Sequence, residues 1–349
     1  MKNLVIFFVC LALGLNSLMA QPRVVVSTDF PPLGVIPGGA EFGPDHLRSD
    51  ADDVQSMIRF LLYTNELDVE GLIASAATLA NIADKRGILD LLDIYDRIDE
   101  NLRRHDPAYP TADELRSVTW TGRSDSHARP VEEIIGEGMD SEASEAIISL
   151  VDDASDPRPI WFLFWGGSRE LAQALWKVRE TRKESEVEQF VEKIRVYFIA
   201  LQDGTSQWLM DEFPELFVIY SEDNWRGMFY DAPGSDASLA DLEWLYRHIR
   251  WGNGMLAALY PEAGWYPDRR GVMEGDSPSF LHLVSGVRGI NDPEDPSQPG
   301  WGGQFIRAQP DRNHWIDHPD GQKTVWRWRA DVQEDFARRA KWMRDPYPE

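Results

Sequence analysis

Three apolar runs in this chain do not alternate: PIWFLFW at Pro159–Trp165, IRVYFIA at Ile194–Ala200 and LFVIY at Leu216–Tyr220. A strand with one wet face reads apolar, polar, apolar. A run that is apolar at nearly every position is a strand buried on both faces, as in a mainly parallel sheet covered by helices. Two β-branched or aliphatic runs, RVVVST at Arg23–Thr28 and VEGLIA at Val69–Ala74, extend the set. Helix-period segments stand between them. Val54, Met57, Ile58 and Leu61 recur at i, i+3, i+4 and i+7 within Asp53–Glu66. Ile88, Leu91, Leu92, Tyr95, Ile98 and Leu102 line one side of a long helix expected over Asn81–Arg104. Further helices are expected at Glu142–Val151, Leu171–Arg179 and Gln333–Arg344. This alternation predicts an α/β fold, a mainly parallel sheet flanked by helices. Pro, Gly, Asp and Trp dominate Pro261–Trp328, which reads as the loop-rich C-terminal third of one domain over residues 21–349.

The first twenty residues have a different character. Lys2 precedes an apolar run from Leu4 to Leu13, and small residues lead to Ala20. That is the pattern of a secretory signal peptide over residues 1–20, cleaved after Ala20, and it predicts a secreted or periplasmic mature chain. The run is short for a membrane span, and no later stretch is long enough, so no membrane association is expected after cleavage. Cys10 is the one cysteine and leaves with the leader, so the mature chain has no thiol nucleophile and no Cys-ligated zinc. Asp and Glu outnumber Lys and Arg by 59 to 35, a formal charge of -24. Such a surface repels phosphate backbones and excludes a nucleic-acid polymer as partner. It suits neutral or cationic ligands, and it leaves a homo-oligomer open.

In open α/β sheets ligands bind beyond the carboxyl ends of the strands. Asp29, Trp165-Gly166-Gly167-Ser168, Gln202-Asp203-Gly204 and Ser221-Glu222-Asp223-Asn224 all follow expected strands, and Asp52-Asp53 opens the first long helix. Each has a plainer role. Asp52 or Asp53 would cap a helix, Asp203 and Asp223 would suit turns, and the paired glycines would make a tight connection. Gathered at one edge, the carboxylates repel and need a cation. An oxygen-only donor set points to a hard ion, Ca2+. The seven histidines are scattered, and His314 and His318, although spaced as on a helix, sit in a segment that reads as loop. No G-x-S-x-G elbow, phosphate-binding glycine loop or dinucleotide fingerprint is present.

Several stretches together are similar to the nucleoside hydrolase-like domain of a cellulose-binding family. They are VVVSTDFPP at Val24–Pro32, DDVQSMIRFLLYTNELDVEGLIAS at Asp52–Ser75, YPTADELRSVTW at Tyr109–Trp120, GEGMDSEASEAII at Gly136–Ile148, DPRPIWFLFWGG at Asp156–Gly167, EGDSPSFLHLV at Glu274–Val284 and GINDPEDPSQPGWGGQF at Gly289–Phe305. The resemblance implies a nucleoside hydrolase-like fold and a calcium-dependent hydrolase acting on N-glycosyl bonds, with an N-riboside as substrate. It implies Asp29 as metal ligand and general base, Asp53 as bridging ligand, Asp276 as the late ligand and the Trp165 main-chain carbonyl as a further one. Asp52 would accept hydrogen bonds from sugar hydroxyls. Gln207 and Trp208 fall near the region of the family's substrate segment, and Asp203 and Trp208 are the other expected substrate contacts. The chain also departs from the pattern. Phe30–Ala51 is far longer than the family's loop and is expected to fold outward, and Gly275 stands where many nucleoside hydrolases have a histidine. The leaving-group acid is unassigned among Glu274, Asp203 and His282. The alternative is a polysaccharide-binding protein without catalysis. Fourteen tryptophans, all from Trp120 onward, speak for it. Trp161 and Trp176 fit the core, whereas Trp301, Trp315, Trp326 and Trp328 are the better candidates for stacking on sugar rings.

Overall fold

A computed structural model describes residues 20–30, 36–37, 48–77, 81–127, 129–264 and 268–344, with the backbone alone at 36–37 and 48–49. Ten strands are present among the described residues: β1 (Arg23–Thr28), β2 (Ile36–Pro37), β3 (Arg48–Ser49), β4 (Asp68–Ala74), β5 (Thr119–Thr121), β6 (Ile160–Phe164), β7 (Ile194–Ile199), β8 (Phe217–Ser221), β9 (Phe305–Arg307) and β10 (His314–Asp317). Eight of them form one sheet in the order β5-β4-β1-β6-β7-β8-β10-β9. Every pair is parallel except β10 with β9.

The absence of alternation in the central runs has a direct structural cause. Val24, Val26, Trp161, Leu163, Tyr197 and Ile199 belong to one buried cluster, while Val25, Phe162, Phe164, Val196 and Phe198 belong to another. The first cluster is closed by the helices Ala51–Leu61, Arg86–Tyr95, Ser277–Val287 and Arg329–Trp342, through Ile58, Leu91, Phe280 and Phe336 among others. The second is closed by Glu142–Asp152, Arg169–Thr181, Glu184–Glu192 and Gly204–Glu212, through Ile147, Leu175, Phe190 and Leu209. Two apolar layers on one sheet make the expected α/β architecture. No helix among the described residues is long and apolar enough to cross a membrane. The expected leader lies outside the described residues except for Ala20, as does most of the Phe30–Ala51 insert.

Three expectations need correction. The long helix over Asn81–Arg104 is two helices, Arg86–Tyr95 and Asp99–His105. Ile98 leaves the helical region at φ -128° and ψ -10°, and Asp99 then accepts a hydrogen bond from Ala112 N at 3.1 Å, which ties the second piece to the next helix. The C-terminal third is less irregular than its composition suggests. His314–Asp317, read as loop, is β10, paired with β8, so the sheet extends through this region. Ser277–Val287 is a helix nearly all of whose residues are buried, and Pro278 is tolerated because it falls in the first turn.

His282 lies in the middle of that helix, fully buried among the rings of Trp161, Tyr197 and Phe305. Its Nε2 is 3.1 Å from the Pro293 carbonyl, an acceptor, so the ring carries its hydrogen there. The buried Nδ1 has no hydrogen-bond partner. Burial lowers the pKa to about 4, below the usual 6.5. A depressed native pKa means that the unfolded chain takes up a proton first as pH falls. The contribution of His282 to stability is therefore complete above about pH 6.5 and is lost toward pH 4, by up to about 3 kcal/mol. Urea unfolding of the wild type and of His282→Gln across that interval should show a steeper acid loss in the wild type; parallel curves would refute the assignment.

Candidate metal centre

The carboxyl edge of the sheet gathers five aspartates. Asp29 directly follows β1, Asp50 holds the N-cap position of the Ala51–Leu61 helix, Asp52 and Asp53 lie in its first turn, and Asp276 holds the N-cap position of the Ser277–Val287 helix. All five are at most 3% exposed. Neither N-cap aspartate makes a side-chain cap hydrogen bond, so the capping role open to such residues is not what their carboxylates do. Instead two helix N-termini, each carrying partial positive charge, point at the same acidic cluster.

Three donors among the described residues serve the cluster. The Thr28 hydroxyl donates to Asp53 Oδ1, and Asp29 N donates to the same oxygen at 3.3 Å. Gly275 N donates to Asp52 Oδ2 at 3.3 Å. Asp50 Oδ1 and Asp276 Oδ2 are buried without any hydrogen-bond partner. Burial, and then the neighbouring carboxylates, push the carboxyls of Asp50, Asp53 and Asp276 well above the usual range. Two triads bring one carboxylate oxygen per residue within 4.8 Å of the others: Asp29, Asp50 and Asp53, and Asp52, Asp53 and Asp276. Two ligands on opposite sides of a calcium ion are separated by about 5 Å, so this spacing suits a shared hard cation. The buried acidic centre could hold a metal ion, and its donors are all oxygens.

Two glycines keep the cluster compact. A Cβ on Gly166 would stand 2.9 Å from Asp29 Oδ1 and 2.8 Å from Ser75 Oγ. One on Gly275 would stand 2.7 Å from Asp52 Oδ2. The Gly275 that replaces the family's histidine thus leaves room for the Asp52 carboxylate.

The structure sorts the expected site residues. Asp29, Asp52, Asp53 and Asp276 come together, with Asp53 common to both triads. Trp165 is adjacent in the chain to Gly166. Its indole Nε1 donates to Ser279 Oγ at 2.8 Å, and its main-chain carbonyl accepts the Gln202 side-chain amide. Asp203 is a buried brace. It accepts from Thr205 N at 2.9 Å and Ser168 N at 3.1 Å, which joins the turn after β6 to the helix after β7. Trp208 is not brought to the acidic centre. Its ring packs on Phe213 at 5.7 Å and beneath Arg179, within the other apolar layer. Asp223 turns toward Arg226 and Gln322, so the end of β8 adds no carboxylate to the cluster.

Neither of the other acid candidates is placed for proton transfer. Glu274 is fully buried in an ion pair with Arg59 and also accepts from Tyr260 OH and Ser277 Oγ. His282 is the neutral core residue described above. Of the tryptophans considered for sugar stacking, Trp301 is buried under Arg288, and Trp315, Trp326 and Trp328 are half-buried. Among the described residues the exposed indole is Trp251, at 69%. Asp50 was missed by sequence reasoning. Its signal was the spacing in SDADDV, where a carboxylate one position before the helix shares an edge with the pair inside it.

Comparison with known proteins places this geometry. A family model described as cellulose-binding Sde182, nucleoside hydrolase-like domain, matches residues 45–305. A solved structure of a nucleoside hydrolase-related protein from Saccharophagus degradans, associated with carbohydrate metabolism, is 30% identical. It superposes with a TM-score of 0.73 over 93% of this chain and 72% of that one. Two further structures, the effector protein XOO4466 and the type III effector XopQ complexed with adenosine diphosphate ribose, are each 10% identical, with a TM-score of 0.43 over 93% of this chain and 95% of theirs. Likeness at that level carries no argument about this chain. No curated protein matches. With the family model spanning well over half of its length and the same α/β architecture in the Saccharophagus protein, the chain belongs to the nucleoside hydrolase-like domain family of cellulose-binding Sde182.

Proposed function

We propose that this protein is an exported calcium-dependent hydrolase that cleaves a glycosidic bond, with N-ribosides as its substrate class. The observation that carries the reading is that Asp53 joins two buried oxygen-only triads, Asp29 with Asp50 and Asp53, and Asp52 with Asp53 and Asp276, from segments widely separated in the chain. The ligands would be the carboxylates of Asp29, Asp53 and Asp276 and the Trp165 main-chain carbonyl. Calcium, when bound, supplies the positive charge that offsets the cluster, acidifies a nearby water and orients sugar hydroxyls.

The chain's own groups divide the remaining work. Asp29, at the end of β1, accepts the proton of a water attacking the anomeric carbon. Asp52 accepts hydrogen bonds from sugar hydroxyls, while Gly275 N steadies its other side. The surrounding carboxylates stabilise the positive charge that develops on the sugar in an oxocarbenium-like transition state, and attack from the face opposite the leaving group inverts the anomeric carbon. Glu274 and His282 take no part in the proton transfers, and Asp203 acts as a brace. The leader-like sequence pattern of residues 1–20 supports export.

A second reading, saccharide binding without catalysis, is favoured by the family's cellulose-binding description and by the exposed Trp251. Purified protein incubated with nucleosides and aryl ribosides separates the two. Chelator-sensitive release of sugar is expected, with loss of release in Asp29→Asn by about 10²–10⁴-fold. Retention on insoluble polysaccharide without any release would select the binding module.

A stability measurement probes the ion directly. Excess calcium should raise the thermal midpoint of the wild type, by about 2.7 kcal/mol of added stability at a hundred times Kd. Asp53→Asn should lose that response. In chelator the same variant should be at least as stable as the wild type, because it removes one of several buried like charges while keeping an oxygen for Thr28. A full calcium response in Asp53→Asn would remove Asp53 from the ligand set.

A further inference from the structure

Hydrolysis of a glycosidic bond calls for a proton donor on the leaving-group side, and Glu274, Asp203 and His282 are all committed elsewhere. The backbone shows where such a donor sits. Among the described residues two that are not glycine have a left-handed backbone, Asp125 at φ 68° and Ala200 at φ 59°. A side chain makes that conformation costly, and such strain gathers at functional sites. Each of the two stands two residues ahead of one partner of a single contact: His127 Nδ1 lies 3.4 Å from the Gln202 main-chain carbonyl. Further bonds fix the pair. Asn81 Oδ1 accepts His127 N at 3.0 Å, and the Asn81 amide donates to Asp125 Oδ1 at 3.3 Å. The Gln202 side-chain amide donates to the Trp165 carbonyl. Sheet order turns the contact into a position. His127 follows β5, Asn81 follows β4 and Gln202 follows β7, while β1 and β6, which lead into Asp29 and Trp165, lie between β4 and β7. Contact between these loops therefore reaches across the carboxyl edge at which the acidic centre stands. The turn after β6 packs against the same loops, since a Cβ on Gly167 would meet Ala76 O.

We infer that His127 is the acid that protonates the leaving group. The Gln202 carbonyl can only accept, so Nδ1 carries its hydrogen there and Nε2 is the atom that exchanges a proton. The ring is half-buried, held on one side and open to a ligand on the other, unlike the sealed ring of His282. As the oxygen of water bonds to the anomeric carbon, the C–N bond breaks and its electron pair passes into the departing base. The base takes the Nε2 proton, and Asp29 takes the proton of the water. Proton exchange with solvent after product release resets both groups. This rests on the hydrolase reading above and deepens it by naming the residue on the leaving-group side.

Leaving groups of unequal need test it. Inosine and uridine release a base that gains from protonation, whereas para-nitrophenyl riboside releases a phenolate that departs without a proton. With the full chain in excess calcium, His127→Gln should lower kcat on inosine and uridine by about 10²–10⁴-fold, with a far smaller loss on the aryl riboside. Far-ultraviolet circular dichroism and a cooperative thermal transition like those of the wild type show that the variant is folded, and His127→Asn takes its place if it is not. Equal losses on both kinds of substrate, or no loss on the nucleosides, would overturn His127 as the acid and leave the hydrolase reading standing. A wild type that cleaves the aryl riboside but neither nucleoside would do the same. Cleavage of none of them by the wild type would overturn both.

Discussion

Like charges that have lost their water are the constraint on which this molecule turns. Five aspartates are buried at one edge of the sheet, and for Asp50, Asp53 and Asp276 burial opposes the charged form before repulsion between neighbours is added. Such an arrangement persists only because other elements hold it. The parallel sheet places Asp29 at its carboxyl edge. Two helices present their positive ends and seat Asp50, Asp52, Asp53 and Asp276 there. Gly166 and Gly275 permit an approach that a Cβ would block. The donors on Thr28, Asp29 and Gly275 satisfy some oxygens and leave others without a hydrogen bond. The site is therefore incomplete as an electrostatic object in a way that a cation would complete.

The side chains packed behind the acidic cluster explain how helix and late loop keep their register. The Ala51–Leu61 helix is buried at all eleven positions, polar ones included. Gln55 reaches Gly271 O and Pro261 O and accepts Met273 N at 2.7 Å, which fastens the chain just ahead of Asp276. Arg59 pairs with Glu274 on one side, lies 3.8 Å over the Phe336 ring and donates to Gln333 at 2.6 Å. A buried ion pair adds little net stability over an apolar substitute, yet losing one partner strands the other. Here the pair fixes Glu274 two residues from Asp276 and links that segment to the C-terminal helix. Glu274 therefore serves placement, which is why a carboxyl so near the ligands is not available as an acid.

How far the sequence could be read follows from the length and character of each signal. β6, β7 and β8 were legible because five or six consecutive residues are apolar on both faces, a pattern few other structures need. β9 and β10 were not, because three and four residues carry no period and the surrounding Pro, Gly and Asp read as loop. The Ser277–Val287 helix was hidden for the opposite reason: it is buried on all sides, so it shows no amphipathic stripe. Of the site, Asp29, Asp52, Asp53 and Asp276 were accessible through the sheet-edge rule together with the family resemblance. Asp50 was not, since one carboxylate at the end of a long insert looks like a turn residue. Trp208 shows the limit of inference along the chain. Its distance in sequence from the strand end was right for a substrate contact, but the face of the sheet on which its helix packs is a tertiary property.

The same physics weighs catalysis against simple binding. A protein that only recognises saccharide needs exposed aromatic faces and hydrogen-bond partners within reach of solvent. The tryptophans of the C-terminal third are largely committed elsewhere: Trp301 lies under Arg288, and Trp315 and Trp328 stack near Arg307 and Arg327. Nothing in recognition alone calls for burying five carboxylates around two helix ends, an arrangement that destabilises the metal-free fold. A reaction through a cationic transition state does call for it, because negative charge already fixed in place, and shielded from water, acts on charge as it develops without reorganising. The cost in stability at the acidic centre, set beside the scarcity of exposed indoles among the described residues, is the physical reason for proposing hydrolysis ahead of binding.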